Sequence, residues 1–256
     1  MPSSPSIRTE NLSIHFGGHA AVNNVTCAFH PGELTVIVGP NGAGKTTWFN
    51  LVSGQLRPSA GRILLGERDI SRLAPSERAK AGIGRAFQLT NLFPKLSVLE
   101  NVRLAVQSRA RQGGRLFARA AALTGLTDKA MHYLAETNLT GAAALLASAL
   151  PHGDQRKLEV AMLLAMEPDI FMFDEPTAGM SVDEAPIILD LIARIKADTS
   201  RTILLVEHKM DVVRALADRI VVLHNGELVA DGDPGEVMAL DLVREIYLGV
   251  GAEEVA

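Results

Sequence analysis

The chain has 256 residues, of which 47% are hydrophobic and 21% charged, as in an ordinary globular protein with one large domain or two modest ones. Its formal net charge of −4 at pH 7 does not favour a protein that binds nucleic acid. The single cysteine, Cys27, excludes a disulfide framework and a cysteine zinc site. No apolar run approaches the roughly 20 residues that cross a bilayer, so composition alone predicts a soluble cytosolic protein.

The first part of the chain predicts short strands separated by turns. Asn11–Gly17 and Val22–Phe29 alternate apolar with polar residues, and Leu34–Val38 is an apolar run typical of a strand buried on both faces of a sheet. Further runs of this kind are Ile170–Phe173, Thr202–Val206 and Ile220–Leu223. The helical patterns between them are Glu184–Ala197 and Met210–Asp218. Strands that alternate with helices predict a parallel sheet.

The middle of the chain predicts a helical insertion in this α/β framework. From Ser97 to about Ala149 the sequence is rich in Ala, Leu and Arg, and its turn signals are Gly113-Gly114 and Gly125. Two more helices are expected at about Gly153–Met166 and Asp241–Leu248, with the chain frayed from Gly249 onward.

A phosphate-binding loop is predicted directly after the Leu34–Val38 strand. The segment Gly39–Thr47 fits the pattern G-x-x-x-x-G-K-[ST] and precedes a predicted helix, Thr46–Val52. Its glycines let backbone N–H groups turn towards phosphate oxygens. Lys45 would reach the β- and γ-phosphates, and the Thr46 hydroxyl would ligate Mg²⁺. An ordinary glycine turn is the alternative, but the coincidence of all the fixed positions favours nucleotide binding.

Acidic residues and a histidine follow two other predicted strands. Asp174 ends an apolar run and could hold the water shell of Mg²⁺, whereas Glu175 could activate a water in line with the γ-phosphate. His208 follows the Thr202–Val206 strand and could hydrogen-bond the γ-phosphate. Each feature alone is weak, because a lone histidine is usually structural, but together with the phosphate loop they predict a nucleotide-hydrolysing site.

These motifs, in this order, resemble the ATP-binding-cassette (ABC) ATPases over essentially the whole chain. The resemblance implies an α/β fold: a P-loop NTPase core with a mainly parallel sheet, an N-terminal antiparallel β subdomain and an inserted helical subdomain. It implies a single ABC ATPase domain over residues 1–256. The core would comprise residues 1–87 and 161–256, and the helical subdomain residues 88–160, which carry the signature motif.

The resemblance also implies further site residues. Gln88 corresponds to the glutamine that senses the γ-phosphate and ligates Mg²⁺, and Leu150–Gln155 corresponds to the signature that contacts ATP held by a second subunit. Phe16 corresponds to an aromatic residue that stacks on adenine, with core packing as the alternative. The implied metal ligands are Thr46, Gln88 and, through water, Asp174. The implied nucleotide-binding residues are Phe16, Gly39, Asn41, Gly42, Ala43, Gly44, Lys45, Thr46, Thr47, Pro151 and Gly153.

Three features depart from the family pattern. Pro151 stands where the signature usually has serine, and Ser181 stands where the loop after Glu175-Pro176 usually has aspartate. Proline offers neither a hydroxyl nor an N–H group, so the signature is expected to be weakened. Between Glu100 and Asp128 there is no acid; the arginines of this segment, which could face a membrane or simply solvent, are Arg103, Arg109, Arg111, Arg115 and Arg119.

Finer features resemble the ATPase subunits that drive import of branched-chain amino acids; among them are the Ala178-Gly179-Met180 run and the Tyr247-Leu248-Gly249 ending. The implied partners are membrane permease subunits, a second ATPase subunit (the same or a sister chain) and, indirectly, a periplasmic solute-binding protein. The implied location is the cytoplasmic face of the inner membrane. Alternatives are urea or amide import, lipopolysaccharide export, a cassette ATPase acting on DNA or ribosomes, and a nucleotide-binding module that hydrolyses ATP weakly because of Pro151.

Overall fold

The computed structural model describes residues 6–86, 92–109 and 120–251, which form ten strands and nine α-helices. The strands are β1 (Ile7–Phe16), β2 (His19–Phe29), β3 (Leu34–Val38), β4 (Ala60–Leu65), β5 (Arg68–Asp69), β6 (Ile83–Ala86), β7 (Ile170–Asp174), β8 (Thr202–Val206), β9 (Arg219–His224) and β10 (Glu227–Gly232). The helices are α1 (Lys45–Ser53), α2 (Pro75–Lys80), α3 (Val98–Arg109), α4 (Ala120–Glu136), α5 (His152–Ala165), α6 (Ala185–Lys196), α7 (Met210–Leu216), α8 (Pro234–Ala239) and α9 (Asp241–Gly251).

Two sheets are present, and together they confirm the predicted fold class. An antiparallel four-stranded sheet has the order β2-β1-β4-β5. A six-stranded sheet has the order β10-β9-β3-β8-β7-β6; within it β3 pairs in parallel with β8 and β9, β7 pairs in parallel with β8, and β10 is antiparallel to β9. Every residue of β3, β7 and β8 is buried, which explains why these strands are almost entirely apolar.

The chain divides into two compact units. The first comprises residues 1–83, 169–175 and 196–256, and the second residues 84–168 and 176–195. The core of the first unit packs β-strand side chains such as Ile37 and Met172 against α1 residues such as Phe49 and Val52. In the second unit α3, α4 and α5 pack together around Val102, Leu134 and Leu158.

Some predicted bounds were wrong. Gly125, expected to mark a turn, lies inside α4, because a single glycine lowers helix stability by only about 1 kcal/mol and neighbouring apolar contacts outweigh that loss. The last helix continues to Gly251 instead of ending at Leu248. The first strand begins at Ile7, four residues before the predicted start, since its N-terminal half pairs with both β2 and β4.

The arginines of the helical insertion are only partly described. The Arg103 guanidinium donates to both carboxylate oxygens of Glu100, at 2.8 and 2.7 Å, and Arg109 Nε lies 4.0 Å from Glu167 Oε2. Arg111, Arg115 and Arg119 lie outside the described residues, as does the predicted Gly113-Gly114 turn. In the part of the chain that is described, no helix combines the length and the apolar character that a membrane span requires.

Arg78 is a buried cation at the C-terminal end of α1. Its guanidinium donates to the carbonyl oxygens of Leu51 (2.6 Å) and Val52 (2.7 Å) in the last turn of α1, and to those of Ser71 (3.0 Å) and Leu73 (3.2 Å). Only 1% of the residue is exposed, and this burial lowers the pKa of Arg78 to about 10. The carbonyl oxygens that end a helix lack hydrogen-bond donors within the helix and carry partial negative charge. Arg78 therefore supplies the missing hydrogen bonds and neutralises that charge at this end of α1.

Replacement of Arg78 by methionine is expected to lower the free energy of unfolding by about 3 kcal/mol or more, because several buried carbonyl groups lose their donors at once. Urea denaturation measures this loss. The exposed neighbour Arg72, changed to methionine, is the matched control and should alter stability by less than about 0.5 kcal/mol. Similar losses in both variants would contradict a specific role of Arg78 at the end of α1.

Candidate nucleotide-binding site

The loop between β3 and α1 has the backbone shape that a phosphate loop requires. Gly39 and Gly44 adopt positive φ angles of 148° and 97°. At Gly44 a Cβ atom would lie 2.5 Å from the carbonyl oxygen of Ala21, so any larger residue would clash with backbone. The N–H of Gly226, in the turn between β9 and β10, donates to the carbonyl oxygen of Ala43 (3.1 Å) and anchors the loop.

The N-terminus of α1 is suited to an anion. The helix begins at Lys45, directly after the loop, with no side-chain cap and no acidic residue in its first turn. The first N–H groups of a helix have no acceptor within the helix, and the helix dipole is positive at this end. A phosphate at this position would therefore receive several backbone hydrogen bonds without competition from a carboxylate in the first turn.

Lys45 is the cation of the site. Its Nζ donates to the carbonyl oxygens of Gly39 (2.7 Å) and Pro40 (2.8 Å), and only 8% of the residue is exposed. Burial lowers the pKa of the Lys45 ammonium, and the negative charges of Glu175 and Asp174 oppose that shift. The ammonium is thus fixed beside the loop and within the electrostatic reach of both acids.

A polar cleft of about 190 Å³ opens over this loop. Thr46 and Asn41 are exposed along it, which leaves the Thr46 hydroxyl accessible. The residues that line the cleft are Ala21, Asn41, Gly42, Ala43, Gly44, Lys45, Thr46, Thr47 and Glu175. Seven of these nine were predicted from sequence as nucleotide-binding residues and one, Glu175, as a catalytic residue, so the structure brings this part of the predicted site together.

The two predicted acids occupy different environments at the end of β7. Asp174 is the last residue of the strand and is fully buried, whereas 27% of the Glu175 side chain is exposed. Glu175 has a φ of 49°, a conformation that is uncommon for a residue with a side chain, and its N–H donates to the carbonyl oxygen of Val206 (3.0 Å). This strained turn directs Glu175 into the cleft, and such strain is frequent at functional sites.

His208 lies beside Glu175 at the same edge of the sheet. Its Nδ1 is 3.8 Å from Glu175 Oε1, and 57% of its side chain is exposed. Because β7, β8 and β3 are neighbouring parallel strands, their carboxyl ends meet at one edge and bring Lys45, Asp174, Glu175 and His208 together.

Sequence reasoning missed Glu207, the residue before His208. Only 1% of it is exposed, and its Oε2 accepts hydrogen bonds from the backbone N–H groups of His208 (2.8 Å) and Lys209 (3.1 Å). The signal was available in principle, because a glutamate at the end of a fully buried strand requires hydrogen-bond donors.

The donor set suits Mg²⁺ bound together with a nucleotide. Among the described residues no group of three or more His, Cys, Asp or Glu could hold a metal ion by itself. The cleft instead offers the exposed Thr46 hydroxyl, and the buried Asp174 carboxylate lies close enough to act electrostatically on Lys45. Mg²⁺ in phosphoryl-transfer sites is commonly held by one or two protein oxygens plus phosphates and water, so these residues fit that ion.

Phe16 and Gln88 were also predicted as site residues. Phe16 ends β1 and 51% of it is exposed, so it is not a core residue; stacking on adenine stays a prediction. Gln88 lies outside the described residues, and its predicted role likewise stays a prediction.

Pro151 and Gly153 lie in the second unit, where α5 begins. Pro151 is the residue before the helix, with φ −56° and ψ 158°, and its carbonyl oxygen accepts from Gln155 N–H (2.9 Å). The Glu184 carboxylate lies directly against Gly153, where it would overlap any Cβ atom. Ser181 donates to Glu184 from both its backbone N–H (3.2 Å) and its hydroxyl (2.9 Å), so the residue in place of the usual aspartate fixes this carboxylate.

Comparison with known proteins agrees with this geometry. The family model described as "ABC transporter" matches residues 22–178. The high-affinity branched-chain amino acid transport ATP-binding protein LivG of Escherichia coli (strain K12) is 37% identical over 254 residues, which cover 96% of this chain and 99% of LivG. The lipopolysaccharide export system ATP-binding protein LptB of the same organism is 30% identical over 244 residues, covering 95% of this chain and 97% of LptB.

Solved structures with the same fold include ABC cassettes. The ADP conformation of MJ1267, an ATP-binding cassette of an ABC transporter, matches with a TM-score of 0.81 and 28% identity, covering 96% of this chain and all of that one. The dimeric post-hydrolysis state of the cassette MJ0796, bound to ADP and Pi, matches with a TM-score of 0.76 and 26% identity, covering 89% of this chain and 98% of that one.

Proposed function

This chain belongs to the ABC transporter ATP-binding family, and from that membership we propose that it is the ATPase subunit of an importer for branched-chain amino acids. The chain is an ATPase of the ABC type. The observation that supports the proposed solute is the 37% identity to LivG over nearly the full length of both proteins, against 30% to LptB. Lipopolysaccharide export is therefore the weaker candidate.

The cleft supplies what hydrolysis of a phosphoanhydride requires, which is positioning and neutralisation of charge. Lys45 and the α1 N-terminus would bind the β- and γ-phosphates. Thr46 and, through water, Asp174 would hold Mg²⁺, which neutralises charge on those phosphates. Glu175 would orient or deprotonate the attacking water, and His208 beside it would hydrogen-bond the γ-phosphate. Gln88 would sense the γ-phosphate at the start of the helical subdomain, residues 88–160.

In the proposed assembly, two ATPase subunits lie on the cytoplasmic face of the inner membrane and bind membrane permease subunits. A periplasmic solute-binding protein delivers the solute to the permease subunits. The dimeric state of MJ0796 supports pairing of cassettes. In such a pair Pro151 and Gly153 of one chain would contact the ATP held by the phosphate loop of the other, and the two subunits could be identical or sister chains.

ATPase activity of the reconstituted complex tests the proposed solute. The chain, its permease subunits and the solute-binding protein are assembled in proteoliposomes, and phosphate release is measured with leucine, isoleucine, valine or urea. Stimulation by the branched-chain amino acids and not by urea is the expected result. Stimulation by urea alone, or no response to any of these solutes, would contradict the proposal.

Because of Pro151, we expect the signature motif to bind the ATP of the second subunit weakly. It offers no hydroxyl and no N–H group, and the Glu184 carboxylate adds negative charge next to Gly153. A hydrogen bond to a charged group contributes about 1.5–3 kcal/mol, or roughly 10- to 150-fold in binding. A homodimer should therefore hydrolyse ATP slowly, and Pro151→Ser should raise its turnover several-fold with little change in the ATP affinity of the monomer.

Steady-state phosphate release from purified homodimers measures this effect. Pro75→Ser is the matched control, because Pro75 also stands at the start of a helix but lies in α2 of the first unit. The control should leave turnover unchanged. Equal turnover in Pro151→Ser and the unmodified chain would mean that residue 151 does not approach the γ-phosphate.

A further inference from the structure

Glu207 is a buried carboxylate to which the proposed reaction assigns no role. It follows β8 directly, only 1% of it is exposed, and its own N–H donates to the carbonyl oxygen of Ile37 in β3 (3.4 Å). A carboxylate is costly to bury unless it receives hydrogen bonds or faces a cation. Here Oε2 accepts hydrogen bonds from the backbone N–H groups of His208 and Lys209. These two residues are the whole connection between Glu207 and α7.

The same oxygen also faces the imidazole ring of His208. Oε2 of Glu207 lies 3.7 Å from His208 Nδ1, and Oε1 of Glu175 lies 3.8 Å from the same nitrogen. Negative charge on one side of the ring favours a hydrogen on Nδ1. Since the two ring nitrogens point in different directions, Nε2 is the nitrogen available to a ligand, and it can donate to a phosphate oxygen when both ring nitrogens carry hydrogen.

We propose that Glu207 is a positioning residue for ATP hydrolysis: it fixes the backbone that carries His208 and, through its charge, orients the His208 ring with Nδ1 towards the two carboxylates. The proposal rests on the proposed function, in which His208 contacts the γ-phosphate. It assigns two separable tasks to one side chain. The acceptor oxygen fixes the loop, and the negative charge orients the ring.

Substitution by glutamine separates these tasks. Glu207→Gln keeps an oxygen that can accept from the His208 and Lys209 N–H groups but removes the charge beside Nδ1. If Glu207 only fixed the loop, glutamine would preserve activity. If its charge orients His208, kcat should fall about 10- to 100-fold, as for other residues that orient a catalytic group, while KM for ATP stays within about twofold.

Glu77→Gln is the matched control. The Glu77 carboxylate also accepts from a backbone N–H, that of Ala74 (2.9 Å), but it lies in α2 and is exposed. This variant should keep the original kcat. His208→Asn, assayed beside it, should lose hydrolysis and retain ATP binding.

Nitrogen-15 NMR of histidine-labelled protein supplies a readout that loop stability alone would not change. His208 signals are identified by their loss in His208→Asn. In the unmodified chain they should show hydrogen on Nδ1, and in Glu207→Gln they should shift more than those of the other histidines. The measurement on the unmodified chain does not depend on whether Glu207→Gln folds, and a His208 ring with hydrogen on Nε2 alone would overturn the proposal.

The kinetic outcomes distinguish failure of the positioning role of Glu207 from failure of the proposed role of His208. If Glu207→Gln retains the original kcat while His208→Asn is inactive, the positioning role is wrong and the role of His208 stands. If His208→Asn hydrolyses ATP at the original rate, the proposed function of His208 fails first. A lower kcat in Glu207→Gln with unchanged His208 signals would also overturn the positioning role.

Discussion

Lys45→Ala is expected to weaken binding of Mg·ATP by about 100-fold or more. The ammonium is the cation of the cleft, fixed beside the phosphate loop by Gly39 and Pro40, and the variant removes it from beside the β- and γ-phosphates. Each hydrogen bond to a charged group contributes about 1.5–3 kcal/mol, or roughly 10- to 150-fold, so loss of two such bonds accounts for an effect of this order. Titration calorimetry with Mg·ATP measures the change.

Lys80→Ala is the control for loss of a positive charge. Lys80 is exposed in the last turn of α2 and should be replaceable without effect on ATP affinity. Circular dichroism would verify that Lys45→Ala remains folded, since Lys45 is buried. Near-native ATP affinity in folded Lys45→Ala would contradict the assignment of the phosphate loop.

Glu175→Gln is expected to reduce kcat by a factor of about 10² to 10⁴ while ATP binding is retained. Glutamine has nearly the same shape and should tolerate the φ of 49° as glutamate does, but it cannot accept a proton from water. Bound ATP then persists, and the ATP-bound dimer should accumulate. Phosphate release and light scattering coupled to size exclusion measure the two effects.

Glu236→Gln, at an exposed position in the first turn of α8, provides the control and should behave like the unmodified chain. Turnover at the original rate in Glu175→Gln would mean that another group activates the water. Loss of ATP affinity in this variant would instead assign Glu175 to binding, because the residue lines the cleft.

The parts of the fold that follow local patterns could be predicted from sequence. The strands buried on both faces, β3, β7 and β8, are mostly apolar, and α6 has regular helical spacing, so their bounds agree with prediction to within a residue. Short elements could not be found in this way. The two-residue strand β5 forms only because it pairs with Leu64 and Leu65 of β4, and no local pattern reveals that pairing.

The residues of the site also divide into those that form a local motif and those whose roles depend on distant contacts. The phosphate loop is a contiguous motif of nine residues, so the seven of its residues that line the cleft could be predicted from sequence. Glu207 and Arg78 escaped prediction because their roles depend on burial and on distant partners. Arg78 looks like an ordinary charged residue of a short helix until the ends of α1 and α2 come together in the fold.

Uptake of labelled leucine into proteoliposomes tests whether ATP hydrolysis by this chain drives import. The vesicles contain this chain with its permease subunits, the solute-binding protein is added on the opposite side, and Mg·ATP is supplied to the ATPase subunits. Leucine is expected to accumulate with the unmodified chain and to remain at background with Glu175→Gln, although both complexes bind ATP. Equal leucine uptake with both chains, or none with the unmodified chain in a complex that hydrolyses ATP, would contradict the claim that hydrolysis in this cleft drives import of branched-chain amino acids.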